Sequence, residues 1–148
     1  MKRQKRTVGA VVKIPFDGKW FTYGQILNDA EVVIFDARTD CELSTDEITN
    51  RPIICRVAVS YHAITKGRWL KVGKCPIGEE LKKPIPKYIQ DILQPDRFEI
   101  YFDGIIRPST REECIGLEHA AVWEPEHVEE RIRDHYSGKQ NRWVDILQ

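Results

Sequence analysis

The chain has 148 residues, 23 basic side chains against 23 acidic ones, and a hydrophobic fraction of 41%. That length and composition suit a domain that buries its own core, and they exclude intrinsic disorder. No apolar run approaches the roughly 20 residues that span a bilayer, and a formal net charge of zero argues against binding nucleic acid by bulk electrostatics.

The chain starts Lys2-Arg3-Gln4-Lys5-Arg6 with no apolar run behind it. It is therefore not read as a secretory signal, residues 1–8 are expected to form a flexible basic tail, and the expected location is cytoplasmic. Gly9–Leu27 then predicts two strands joined at Asp17-Gly18, residues that tolerate the positive φ of a hairpin turn. Pro15 has no N–H and belongs on an edge or at a strand end. Gly24 breaks the second strand and is a place for curvature. Glu31–Asp36 is a third strand whose nearly continuous apolar run, Val32-Val33-Ile34-Phe35, predicts burial on both faces. Ser44 stands three residues before Glu47, a capping-box spacing that starts a helical turn. Ile53–Ala63 alternates and predicts the strongest strand, and Arg68–Gly73 returns after Gly67 as a shorter one.

Pro76, Pro84 and Pro86 punctuate the next segment, where Ile89, Ile92 and Leu93 fit a helical stripe over Lys87–Leu93. Phe98–Phe102 and Ile105–Arg107 flank Asp103-Gly104 as a second hairpin. Ser109 and Glu112 repeat the capping-box spacing and predict a helix running toward Gly116. Val128, Ile132 and Tyr136 lie four apart, which predicts a last helix over Glu126–Tyr136, stopped by Ser137-Gly138. The tail with Trp143, Val144, Ile146 and Leu147 is expected to pack back. The whole reads as a single α+β domain over 1–148. Its β-rich antiparallel core is a partly open SH3-like barrel or a twisted sheet. Its helices are short and mainly C-terminal, with 109–148 as a helical part packed on the sheet.

Little in this order carries catalysis. Cys41, Cys55, Cys75 and Cys114 make no Cys-x-x-Cys and no zinc spacing, and they read as reduced thiols. His127 and His135 flank Arg131 at four-residue steps, and a cation between them is wrong for a metal. His62 reads as strand surface. No phosphate-binding glycine loop occurs. The expectation is no enzyme, no catalytic residue, no metal and no cofactor. Trp20, Phe21 and Tyr23 fit either a stacking platform or a core.

Charge is distributed unevenly. Residues 111–135 hold eight acids against three bases, a net charge of −5, while the first six residues hold only bases. Glu112, Glu113, Glu118, Glu126, Glu129, Glu130 and Asp134 are the candidate partner-binding residues. They read either as an acidic face for a basic partner or as an ordinary solvated helix surface.

The series Gly9-x-Val11-Val12-x-Ile14-Pro15-Phe16, Asp17-Gly18-Lys19, Tyr23-Gly24-Gln25-Ile26-Leu27 and Val33-Ile34-Phe35-Asp36 resembles the immunity protein 26 family of bacterial polymorphic toxin systems. Gly116-Leu117-Glu118-x-Ala120-Ala121-Val122-Trp123 resembles that family's C-terminal part. The resemblance implies a small, mostly-β, intracellular protein that neutralises a cognate toxin domain by stoichiometric occlusion, without turnover. A basic nuclease would suit the acidic face. The opening Gly-x-Val-x-x-Ile-Pro-Phe also resembles the first strand of ribonuclease toxins with SH3-like barrels. That leaves a nucleic-acid-binding or RNA-cleaving small barrel of toxin–antitoxin type as the alternative. Its bases would include Lys66, Arg68, Lys71, Lys74, Lys82 and Lys83.

Overall fold

The computed structural model describes residues 3–144. In chain order the first elements are strands β1 (Ala10–Asp17), β2 (Trp20–Ile26) and β3 (Glu31–Thr39), helix α1 (Thr45–Thr49), strand β4 (Ile53–Val59), helix α2 (His62–Thr65) and strand β5 (Leu70–Lys74). Helix α3 (Glu79–Lys82), strands β6 (Lys87–Gln90), β7 (Phe98–Phe102) and β8 (Ile105–Ser109), helix α4 (Arg111–Cys114), strands β9 (Glu118–His119) and β10 (Val122–Trp123), and helix α5 (Pro125–Ser137) follow. Two compact units result, a larger one from residues 3–82 with 122–139 and a smaller one from 83–121 with 140–144.

The larger unit is built on a six-stranded sheet in the order β10-β4-β3-β2-β1-β5, antiparallel except where β10 runs parallel to β4. The sheet is open, with β10 and β5 at its edges, so the chain takes the sheet form of the two expected. Its apolar residues alternate between two faces. Val12, Ile14, Ile34 and Val57 join Trp69 and the α5 residues Val128 and Ile132 in one core cluster. Val11, Tyr23, Val33 and Phe35 join Ile48 of α1 in another, with Leu43, Ile77 and Leu81 packed against it. That is why β3 carries an uninterrupted apolar run: each successive residue enters a different core.

Local chemistry sets the ends. The β1–β2 turn pairs Asp17 with Trp20, and Gly18 takes φ 57°, the positive value that glycine adopts without cost. Pro15 lies beyond the β1–β5 ladder, which runs from Ala10 to Lys13, so its missing N–H costs that ladder nothing. Gly24 is required by close approach. A β-carbon there would stand 2.9 Å from Val32 Cγ1 and 2.9 Å from the Val33 carbonyl oxygen. Ser44 caps α1 with the full capping box: its hydroxyl accepts from Glu47 N–H, and the Glu47 carboxylate accepts from Ser44 N–H.

Three expectations are corrected. The strand expected over Ile53–Ala63 ends at Val59. There the Ser60 N–H donates to Trp123 of β10 at 2.9 Å and the chain turns into α2. The helix expected over Lys87–Leu93 is strand β6, flanked by β7 and β9. The Asp91 carboxylate accepts from the Leu93 and Gln94 N–H groups, which a helix continuing through Asp91 would give to carbonyls four residues back, and Ile92 and Leu93 are 94% and 91% exposed. The cap of α4 is Thr110 rather than Ser109, its hydroxyl accepting from Glu113 N–H at 3.2 Å.

The smaller unit has a four-stranded sheet in the order β8-β7-β6-β9. Its core is small: Tyr88, Phe98, Ile100 and Cys114, with Leu117 packed against them. The β7–β8 turn is Asp103-Gly104 as expected, at φ 50° and 82°, which is the type I′ pattern. Of the tail, Trp143 and Val144 are exposed; Ile146 and Leu147 lie outside the described residues, as does Lys2.

Candidate functional site

The acidic candidates divide between the units. Glu126, Glu129, Glu130 and Asp134 lie on α5, and Glu112, Glu113 and Glu118 on α4 and β9. Helix α5 starts with Pro125 at its first turn and ends at Gly138 in the left-handed conformation. Val128 and Ile132 anchor it on the large sheet, and Tyr136 adds a ring stacked on Phe16 at 5.3 Å.

Glu129 faces inward. It is buried, and its carboxylate accepts from Arg68 Nε and Nη2 at 2.9 and 2.7 Å and from Trp69 Nε1 at 2.9 Å. Glu126 lies 3.3 Å from Arg68 Nη1, so the same guanidinium faces two carboxylates. Those neighbours raise the Arg68 pKa, chiefly through the Glu129 hydrogen bonds. Glu126 is exposed at the surface, with Glu130 and Asp134 half-buried. At the far end of α5 the Tyr136 hydroxyl donates to Asp36 Oδ1 at 2.6 Å. Burial, and then that carboxylate, push the Tyr136 phenol well above its ordinary value.

In the smaller unit Glu112 and Glu113 are exposed on α4, and Glu113 sits 3.7 Å from Arg107. Glu118 belongs to β9, opposite Lys87 of β6.

The remaining candidates are absorbed by the fold. His62 opens α2 rather than lying on a strand, and its Nε2 is 2.8 Å from Glu124. Arg131 lays its guanidinium over the Trp123 ring at 5.1 Å, between His127 and His135 in the sequence. Among the described residues no three His, Cys, Asp or Glu side chains gather as a metal-binding group. All four cysteines are free thiols, and burial raises the pKa of Cys75 and Cys114, away from nucleophilic reactivity. Phe21 and Tyr23 are buried in the core, and Trp20 is partly buried against it with Lys19 and Arg38 over its ring, so the three form no open stacking platform; Trp69 and Trp123 are core as well. Among the mid-chain bases, Arg68 holds Glu129, Lys71 donates to the Lys5 carbonyl, and Lys82 pairs with Glu79. The basic start makes its own bonds: Gln4 donates to the Ile64 and Trp69 carbonyls, and Arg6 to those of Leu27 and Glu31.

One surface was not singled out from the sequence. At the tip of the β7–β8 hairpin, Tyr101 pairs with Ile106 and Phe102 with Ile105 across the strands, and all four are exposed. An open cleft of about 530 Å³ adjoins it, lined by Pro86, Ile100, Phe102, Arg107, Glu113 and Leu117. The signal was present as two apolar pairs around Asp103-Gly104, but strand alternation alone does not say which face a core covers.

Among the described residues no helix is long and apolar enough to cross a membrane. Neither a curated relative nor a solved structure matches the chain. The family profile described as Immunity protein 26 does match, over residues 7–99. That span takes in β1 to β6 and reaches the first residues of β7. With more than half of its length matched, this chain belongs to the immunity protein 26 family.

Proposed function

We propose that the chain is a cytoplasmic inhibitor that binds one toxin domain and blocks it stoichiometrically, without turnover. Membership of the immunity protein 26 family is the observation that carries this reading. The site chemistry is consistent with it. The strongly perturbed groups Tyr136 and Cys114 are engaged in packing and hydrogen bonds of the fold. The exposed acids Glu112, Glu113 and Glu126, with Glu118, Glu130 and Asp134, would steer a basic toxin toward the chain. Glu129 would support them from within the fold, since its carboxylate is held by Arg68 and Trp69.

Co-expression is the test. The toxic domain encoded beside this chain in its source genome is produced in a sensitive host with and without the chain. Restored growth and a one-to-one complex on purification are expected. Continued killing, or recovery of RNA in place of the toxin, would overturn the reading.

A further inference from the structure

The basic start alternates in the fold. Gln4 and Arg6 are half-buried, while Arg3 and Lys5 are exposed. That period of two belongs to an extended chain laid on a surface, with every second side chain turned inward.

Gln4 spends its whole amide on the larger unit. Its Nε2 donates to the Ile64 and Trp69 carbonyls at 2.9 and 2.7 Å, and its Oε1 accepts from Lys71 N–H at 2.9 Å. Its backbone N–H donates to the Thr65 carbonyl at 3.1 Å. The Trp69 carbonyl and the Lys71 N–H lie on either side of Leu70, at the start of edge strand β5. Bonds to those two groups are the pair that one residue of a parallel neighbouring strand would make opposite Leu70. The amide therefore stands in for a further strand and covers the edge there. Lys71 returns the grip, its ammonium donating to the Lys5 carbonyl at 2.8 Å and to Thr7 Oγ1 at 3.2 Å.

Arg6 is a second anchor. Its Nη2 donates to the Leu27 and Glu31 carbonyls at 2.9 and 3.1 Å, and its guanidinium lies over the Tyr61 ring at 5.0 Å. Those two carbonyls flank the β2–β3 turn, in which Asp29 and Ala30 take φ values of 56° and 66°. The left-handed conformation is costly for alanine and persists only where its surroundings hold it. The Gln4 anchor also reaches α5 in two steps. Trp69 is wholly buried; Gln4 binds its carbonyl and Glu129 of α5 binds its indole N–H. Arg68, one residue earlier, binds Glu129 and lies 3.3 Å from Glu126.

We propose that residues 3–7 are a strap of the larger unit. Gln4 closes the sheet edge at Leu70, and Arg6 holds the β2–β3 turn in its strained form. Through Trp69 and Arg68 the strap positions Glu129 and Glu126 on α5. The working groups are the Gln4 amide and the Arg6 guanidinium, not the exposed charges of Arg3 and Lys5. No partner enters the proposal, so it stands or falls independently of the inhibitor reading.

Hydrogen exchange of the full chain, read by NMR at the Lys71 amide and the Trp69 indole N–H, is the test. In the unaltered chain the Lys71 amide should be protected by at least about a hundredfold over a free amide. Exchange at the free rate would make the segment a frayed tail and overturn the strap without any variant. Gln4→Ala should speed both protons by about tenfold, and Gln4→Met, which keeps the side chain's length but none of its hydrogen bonds, should do the same. A Gln4→Met variant that exchanges as the unaltered chain does would assign the contact to packing and overturn the role of the amide. Faster exchange at Lys71 with an unmoved Trp69 indole would overturn the link to α5. Arg3→Ala with Lys5→Ala should leave both rates within about twofold, and a larger change would overturn the division of labour between amide and charge. Arg6→Ala should lower the unfolding midpoint less in an Ala30→Gly background, where the turn carries no alanine strain. Equal shifts in the two backgrounds would overturn the second anchor.

Discussion

The carboxylate of Glu129 accepts three hydrogen bonds, two from Arg68 and one from the buried Trp69 indole. Arg68 is partly exposed and can turn to water once its partner is gone. The indole N–H cannot, because Trp69 is wholly buried. Glu129→Ala should therefore cost about 3 kcal/mol of stability, mostly the penalty of an orphaned buried donor, and Glu129→Gln less because one acceptor remains. Chemical unfolding would show it; an unchanged midpoint for the alanine variant would mean that water reaches the indole. Gly24 makes a different demand. A β-carbon there would meet the Val33 carbonyl, a backbone group held in the β2–β3 ladder, so the neighbour cannot swing aside. Gly24→Ala should destabilise by about 2 kcal/mol through overpacking, and a thermal melt at or above that of the unaltered chain would refute the close approach.

Among the elements, the two-residue strand β9 carries a pH dependence of its own. Strand β9 carries His119, stacked on Tyr88 with ring centroids 4.9 Å apart. Burial holds the His119 pKa below its ordinary 6.5, so the folded chain binds that proton more weakly than the unfolded chain does. The contribution to stability is complete above about pH 6.5 and is lost as pH falls below it. Carboxylates add their own acid response, so the comparison is a difference: His119→Phe, which keeps a ring on Tyr88, should flatten the fall in unfolding midpoint between about pH 7.5 and 5. Parallel curves for the two proteins would show that His119 titrates normally. Sequence patterning served such elements unevenly. The hairpins and the Ser44 cap follow from residues close in sequence, where turn chemistry is strongest. Ile89, Ile92 and Leu93 match helical spacing, so local pattern predicts a helix at β6, while its strand state depends on β7 and β9 at either side.

At the scale of the whole molecule, a net charge of zero hides an acidic region and a basic start. Long-range steering responds to that distribution rather than to the total. Reversing Glu126 and Glu130 to Lys should slow association with the toxin by about tenfold at low ionic strength and flatten the dependence of the on-rate on salt. Stopped-flow binding at several salt concentrations measures both, and an unaltered on-rate would remove α5 from the encounter. The seven acids named from composition do not act alike, however. Glu129 was indistinguishable from Glu126 and Glu130 by residue type, and its burial is set by Arg68 and Trp69, some 60 residues earlier in the chain.

The fold class, the two Asp-Gly hairpins, the capping box at Ser44, the two-faced burial of β3 and the family are all legible in the order of the residues. Each follows from residues adjacent in the chain or from alternation that one period describes. Which acid is core and which is surface, where β4 ends, that β6 is a strand, and that the β7–β8 tip extends past its core emerge from packing between distant segments. Those outcomes depend on partners far apart in sequence. A side chain's exposure is the area its neighbours leave uncovered, and no local pattern contains the neighbours.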